Sequence, residues 1–556
     1  MNISTYRILA CALLLSLFTA HVDAQTATPR EVLYRKNIDE LSAEELAAFE
    51  HAVKMMKVKS ARNIYDRTGF LWQAWVHNCT SVAVNEKRQY ALGSGDNKQL
   101  YEIINQQLNT GENIDETANN PFNTCRFDNQ VKGTGNITYE NPGMCEHRKD
   151  TFFQWHRAEF YFYEKALQDA DPEGLYGPST KNVTVPYWNF TKPPTGSRYP
   201  KAFEDTASPL WFKHRLQNPP GSKPDMPSYT SPYLLAYLIY RQDWPSFGGY
   251  PTGSAAIAGN PGNSGSFESQ IHDAMHDEYV NGYMRTPSTA GLDPLFYSFH
   301  AFVDYALEKW IEEHGTETIT GGTWFMRGEQ DERLLLPSGF EPGSGQKREP
   351  FSNYTKNMGR AELYYDTRKQ GFAYQAGAFG EFVPRSQIDA IIAKHNLPGA
   401  TLGDGPQSLF SELMSFGAHG PAAKPDAVVQ GKVRIQPLDG KKALIDIVRE
   451  AGSDDYSYQV DVYFHPQNIA ADIGNKKFRA RYLVLSANYW ALSGHHHHDD
   501  TPGTALTLTQ DISKDISNLR LGGKDGQEWT ITLGISSRDN HSGKFSFNAP
   551  VVNYSK

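Results

Sequence analysis

His272 and His276 stand four residues apart in Phe267-Glu-Ser-Gln-Ile-His-Asp-Ala-Met-His-Asp277. On a helix that spacing puts both imidazoles on one face, where they can meet a single ion. A solvated helix with two histidines shows the same spacing, so the pair alone does not decide. The next segment adds the constraint. In Asp293-Pro-Leu-Phe-Tyr-Ser-Phe-His-Ala-Phe-Val-Asp304, Asp293 reads as an N-cap and Pro294 as the first helical residue, with His300 alone among apolar side chains. A buried imidazole must satisfy both ring nitrogens, and a metal satisfies one of them. Asp304, one turn on, is placed to orient that ring or a neighbour. Three imidazoles from two helices, His272, His276 and His300, would then make one site.

A second group has a different geometry. His147 and His156 are nine residues apart, about half a turn out of phase on a continuous helix. They converge only if His147 precedes the helix and His156 lies on it, with Asp150 between them as the N-cap. His77 closes an earlier helical pattern in Trp75-Val-His-Asn-Cys79, and spacing alone does not pair it with His147.

Around these groups the chain changes character twice. Helical patterns cover 36–60, where Ser42-Ala-Glu-Glu45 resembles a capping box before Leu46, Phe49, Val53 and Met56, and then 61–77. Residues 80–145 are polar and rich in Asn and Gly and read as a long insertion. Helices are expected near 150–167, 267–281 and 294–313, and Pro/Gly/Ser-rich sequence fills 172–265 around an apolar piece at 233–240. From about residue 425 the pattern becomes short β-branched or aromatic runs at 428–435, 443–448, 456–464, 478–485 and 529–535. Such runs between turn residues predict an antiparallel sandwich or jelly roll. The Gly/Pro/Ala-rich stretch 401–426 reads as the linker between a domain at 25–400 and a β-rich domain at 427–556. The run His495 to His498 reads as an exposed polar loop with adventitious metal affinity.

Residues 1–24 read as a secretory signal: Arg7, an apolar run over 8–20, then Val22-Asp23-Ala24 as the cleavage site. An exported chain keeps Cys79, Cys125 and Cys145, an odd number in an oxidising compartment. Sequons at Asn136, Asn182, Asn189 and Asn353 matter only in a host that glycosylates. The formal net charge of −9 gives no electrostatic footprint for nucleic acid or an anionic membrane.

Several motifs together resemble one family. Phe152-Phe-Gln-Trp-His-Arg-Ala-Glu-Phe-Tyr-Phe-Tyr-Glu164 resembles the first copper helix of the tyrosinases, catechol oxidases and molluscan haemocyanins. Val185-Pro-Tyr-Trp-Asn189 is similar to that family's proline-tyrosine-tryptophan motif. The block 268–304, with Asn281-Gly-Tyr-Met284 and the Asp-Pro-x-Phe start, resembles its second copper site. The resemblance covers about 35–335. It implies a mainly α catalytic domain, a four-helix bundle with long loops around two coppers, followed by the β domain. It implies His77, His147 and His156 as ligands of the first copper, and His272, His276 and His300 as ligands of the second. One departure is Phe299, where the family has a histidine immediately before the position of His300.

The implied activity is oxidation of small phenols, with oxygen as co-substrate and o-diphenols leaving as o-quinones. Whether monophenols are accepted stays open. They must lose a proton near pKa 10, so a base helps. Glu268, one turn before His272, matches a glutamate that holds a water in the family. Asp273 stands where monophenol-accepting members often carry Asn, and reads either as a base or as a solvated acidic residue. The alternative reading is a haemocyanin-like oxygen carrier, from which catechol turnover would distinguish an enzyme. The family also implies a C-terminal domain that covers the site. Cys145 lies two residues before His147, the spacing of the family's cysteine–histidine thioether. That bond would leave Cys79 and Cys125 for one disulfide, whereas pairing Cys145 with either leaves a buried thiol.

Overall fold

The computed structural model describes residues 32–62, 66, 68–77, 145, 147–148, 150–192, 198–213, 215, 228–250, 263–285, 287–320, 365–377, 380–395, 408–415, 425–450, 458–489, 506–521, 528–537 and 546–555. The signal-like segment, most of the 80–145 insertion, Cys79, Cys125, Asn136, Asn353 and His495 to His498 lie outside them. Among the described residues, no helix is long and apolar enough to cross a membrane.

Helix α1 (Ala43–Arg62) starts as its sequence predicts. The Ser42 N–H donates to Glu45 Oε2 at 2.9 Å and the Glu45 N–H to Ser42 Oγ at 3.2 Å, a reciprocal capping box. Its buried face carries Phe49, Ala52, Val53 and Met56, packed on α2 (Phe70–His77) and α3 (Phe152–Gln168). After α4 (Pro232–Arg241) comes α5 (266–280), then α6 (Pro294–His314). Helix α6 is capped as expected, with Pro294 at its start and the Asp293 carboxylate accepting from the Leu295 N–H at 2.8 Å. Asp150 does not cap α3. Thr151 occupies that position without a side-chain cap bond.

Helices α3 and α6 pack together through buried ions as well as rings. Arg35 on β1 (Leu33–Arg35), which pairs in parallel with β4 (Phe372–Tyr374), donates to Glu164 at 2.8 Å and to Asp304 at 3.1 Å. Arg157 reaches Asp304 from the other side and Glu308 at 3.0 Å. Asp304 therefore does not orient His300. It pairs with two buried guanidiniums, and so clamps the helix of His156 to the helix of His300. A buried charge keeps to an opposite charge within reach, and these arginines outcompete any imidazole for it.

The region from 427 forms two antiparallel sheets, ordered β5-β10-β7-β8 and β11-β6-β9. The strands are β5 (Ala427–Arg434), β6 (Lys442–Arg449), β7 (Tyr458–Pro466), β8 (Leu483–Tyr489), β9 (Leu506–Asp511), β10 (Glu528–Ser537) and β11 (Val551–Ser555). β2 (Gly249–Tyr250) and β3 (Asn263–Ser264) form a separate small pair. Val433, Val462, Phe464, Ile531 and Leu533 from one sheet and Ile445, Ile447 and Leu508 from the other share one core.

Two sequence expectations change here. The run 478–485 is a helix, Lys476–Tyr482, before it is a strand, because Asn475 accepts from the Lys477 and Phe478 N–H groups and nucleates a turn. The 401–426 stretch is not linker throughout. It contains the helix Leu409–Ser415, whose Leu409, Phe410, Leu413 and Met414 are buried. That helix packs on α4 and β8. Its apolar content is diluted by flanking Gly and Pro, so composition hides it. The sequon at Asn189 is buried, with its amide donating to Glu381, whereas Asn182 is exposed.

Candidate metal centre

Four helices and one loop bring the six predicted histidines together, all buried. His77 ends α2, His156 lies on α3, His272 and His276 on α5, and His300 on α6, while His147 precedes α3 in irregular chain. In the first group, the ring centroids are 5.9 Å apart for His77–His147, 5.7 Å for His77–His156 and 5.2 Å for His147–His156. In the second they are 4.5 Å for His272–His276, 4.9 Å for His272–His300 and 5.3 Å for His276–His300. The groups face each other, with His156 stacked 4.7 Å from His300 and His147 5.3 Å from His272.

Their tautomers follow from their partners. The Nδ1 atoms of His77, His156 and His276 sit 3.0, 2.7 and 2.9 Å from the carbonyls of Pro287, Phe152 and Met284. A carbonyl cannot donate, so each Nδ1 carries the proton and each Nε2 presents a lone pair. His147 Nδ1 lies 3.1 Å from Glu268 Oε1, and His272 Nδ1 lies 2.9 Å from Asp273 Oδ1. Burial pushes His156 and His276 down to about 3, and holds His272 and His300 well below the usual imidazole range. Neutral imidazoles with free Nε2 lone pairs are the form that binds a metal.

The second group fits a cation on geometry as well. His300 Nε2 lies 3.1 Å from His276 Nε2 and 3.3 Å from His272 Nε2. One N–H on His300 could satisfy only one of those two lone pairs, and its own buried Nδ1 has no hydrogen-bond partner. A cation at the convergence point satisfies all three nitrogens. The metal-capable atoms of His272, His276 and His300 fall within 4.8 Å of one another. The first group is looser: His77 and His147 meet that criterion with Cys145, while His156 stands outside it.

The acidic residues take distinct places. Glu268 accepts from the Arg148 N–H at 2.8 Å through the oxygen that faces His147, so it ties the loop ligand to α5. Burial pushes its carboxyl up to about 7, against the pull of the Arg148 N–H and charge. Asp273 has its carboxylate within 4.8 Å of ligand nitrogens from both His147 and His272, between the two groups. Phe299, in place of a histidine, stacks on His272 at 5.7 Å and meets His276 edge-on at 5.1 Å. The carbonyls of Phe152, Met284 and Pro287 escape sequence reasoning because any residue type supplies one. Phe152 also contacts His147, His156 and His272, and only its place in the copper-helix motif hinted at that.

Comparison with known proteins agrees with this arrangement. The common central domain of tyrosinase matches residues 124–233 and 213–313. The tyrosinase HcTyr1 of Hahella sp. (strain CCB-MM4) is 26% identical over 313 residues, covering 52% of this chain and 56% of that protein. The latent polyphenol oxidase of Prunus armeniaca is 30% identical over 200 residues, 31% of each chain. The chain thus spans about half and about a third of these relatives. The structure of latent apple tyrosinase superposes with a TM-score of 0.55 at 14% identity, covering 95% of this chain and 98% of that one. A helical histidine centre joined to β-sheets defines a protein with the polyphenol oxidase fold. Over residues 124–313 the chain matches the tyrosinase family, a family that implies a dicopper centre.

Proposed function

We propose that this chain is an exported copper oxidase that converts o-diphenols to o-quinones while oxygen is reduced to water. The observation that carries the reading is the convergence of the three Nε2 atoms of His272, His276 and His300 on one point, beside a second buried histidine group. His77, His147 and His156 would hold one copper and His272, His276 and His300 the other. Bound copper supplies electron transfer to oxygen, and imidazole donors suit it in both oxidation states.

The protein's own groups do the rest. Glu268 holds the His147 ring and the Arg148 backbone, which fixes a ligand that no helix carries. Asp273, between the groups, accepts a hydrogen bond from His272 Nδ1 and so anchors that ring. The ring of Phe299 against His272 keeps the site apolar behind the ligands. A thioether between Cys145 and His147 would lock that ring further. Its support is the two-residue spacing, the burial of Cys145 and a Cys145 N–H bond to the His77 carbonyl at 3.1 Å. The β region at 427–556 acts as a cover, supported by its contact with α5, which carries two of the histidines.

Oxygen uptake tests the reading. The copper-loaded chain should consume oxygen with catechol, and the copper-free chain should not. Reversible oxygen binding without catechol turnover would overturn it in favour of a carrier.

A further inference from the structure

The helix that presents His272 and His276 does not keep an ordinary register. In α5 the Asp273 N–H reaches back five residues to the Glu268 carbonyl, and the Asn281 N–H does the same to His276. Upstream, the Ser269 N–H makes the usual four-residue bond to Gly265 at 3.0 Å. The helix is therefore widened over Glu268–His272 and again over Met275–Val280. Such turns are rare, and contacts from elsewhere in the fold must favour them.

The contacts come from the β region. Upstream of the imidazoles on α5, Gln510 of β9 accepts from Ser266 Oγ at 3.1 Å and from Gln270 Nε2 at 3.3 Å. It donates to the Ser264 carbonyl at 3.3 Å and to the Thr509 carbonyl at 2.9 Å. Asn488 of β8 donates to the Ser269 carbonyl at 3.3 Å. These side chains are all buried, so water does not replace the bonds if one is lost. Their anchor points lie just before and inside the widened turn that ends at His272. Return of that turn to ordinary register would swing the following side chains by about 100°.

We propose that Gln510 is a positioning residue for the second histidine group. It pins Ser266 and Gln270 and so holds the turn that aims His272 and His276 at His300. The β region is then part of the metal site's support as well as its cover. This rests on the reading of that group as copper ligands.

The test uses the full chain with Gln510→Leu, Gln510→Glu, which keeps accepting oxygens, and Lys442→Ala. Lys442 pairs with Asp243 at 2.5 Å and with Asp511 at 3.5 Å on the same interface. Two quantities are read: copper lost to a chelator, and hydrogen exchange of 266–280 in copper-free protein. Gln510→Leu should release one copper about tenfold to a hundredfold faster and raise exchange in that segment. Gln510→Glu should fall between it and the wild type, and Lys442→Ala should match the wild type. Unchanged exchange in Gln510→Leu overturns the proposal. Equal effects of Gln510→Leu and Lys442→Ala also overturn it, since they would report docking alone. If Gln510→Leu does not fold, Ser266→Ala and Gln270→Ala carry the same comparison from the helix side. Wild-type chain that takes up no copper refutes the copper reading, while the exchange data still decide the role of Gln510.

Discussion

His276 Nε2 lies 3.1 Å from His300 Nε2, and the other nitrogen of His276 is tied to the Met284 carbonyl at 2.9 Å. Both rings are buried, and the Met284 carbonyl orients the His276 ring. This contact joins α5 to α6 at the metal centre.

The first prediction follows from it. His276→Ala removes one of three converging nitrogens, so the variant should hold one copper where the wild type holds two, with oxidase activity abolished. Elemental analysis of the reconstituted proteins checks this. Zinc or iron in the wild type, or fewer than one copper per chain, would sink the copper assignment.

Asp273 governs the second. Replacement by Asn keeps an oxygen for the His272 Nδ1 proton, now 2.9 Å from the carboxylate, but removes the negative charge between the groups. The ring should then be anchored less tightly, and the ratio of monophenol to diphenol turnover should rise. Steady-state rates with both substrates measure it, and an unchanged or lower ratio contradicts this reading of the position.

Removing the shared carboxylate at Asp304 should destabilise the fold rather than the chemistry alone. Asp304→Ala leaves Arg35 and Arg157 buried with less counter-charge. Breaking a buried pair by deleting one partner costs about 3–5 kcal/mol. Denaturant unfolding of the copper-free protein should show a loss of that size. A change under about 1 kcal/mol, the range of an exposed pair, would show that the clamp between α3 and α6 contributes little.

Lys57 gives a pH signature. It is buried, donates to the Pro209 carbonyl at 2.7 Å, and burial pushes its ammonium down to about 7. A base lowered in the folded state costs stability while it is charged there, below about pH 7. The cost fades as pH rises from there toward the ordinary lysine value. Over pH 7 to about 10 the wild type should gain stability from this group, and Lys57→Met should lack that gain. Melting temperatures of both proteins across that range decide it. Parallel curves would mean that Lys57 keeps its charge.

Release of the β region tests the cover. A protease site introduced between Ser415 and Asp426, followed by cleavage and separation, should raise turnover of bulky phenols in freshly copper-loaded protein. The same product should lose copper faster, since Gln510 leaves with the sheets. Clipped protein no faster than intact protein on bulky phenols would refute the cover.

Much of this was legible beforehand because the physics involved is local. The capping box at Ser42 and Glu45, the Asp293-Pro294 start and the four-residue spacing of His272 and His276 each concern residues within about one turn. The strands β5, β6, β7 and β10 were legible from alternating or β-branched runs. Lys476–Tyr482 and the helix Leu409–Ser415 were not, because one cap residue and a few burial contacts outweighed composition.

The sequence by itself determined which side chains could bind metal, where α1 and α6 begin, and that the chain turns to sheet after about residue 425. Tertiary structure alone decided the rest. It brought His77 to His147 across 70 residues, and it took Asp304 from His300 and gave it to two arginines. It also set the tautomers through the Phe152, Met284 and Pro287 carbonyls and widened α5 under Gln510. Each of these depends on which group lies nearest when water is excluded, and a linear pattern carries no such distance.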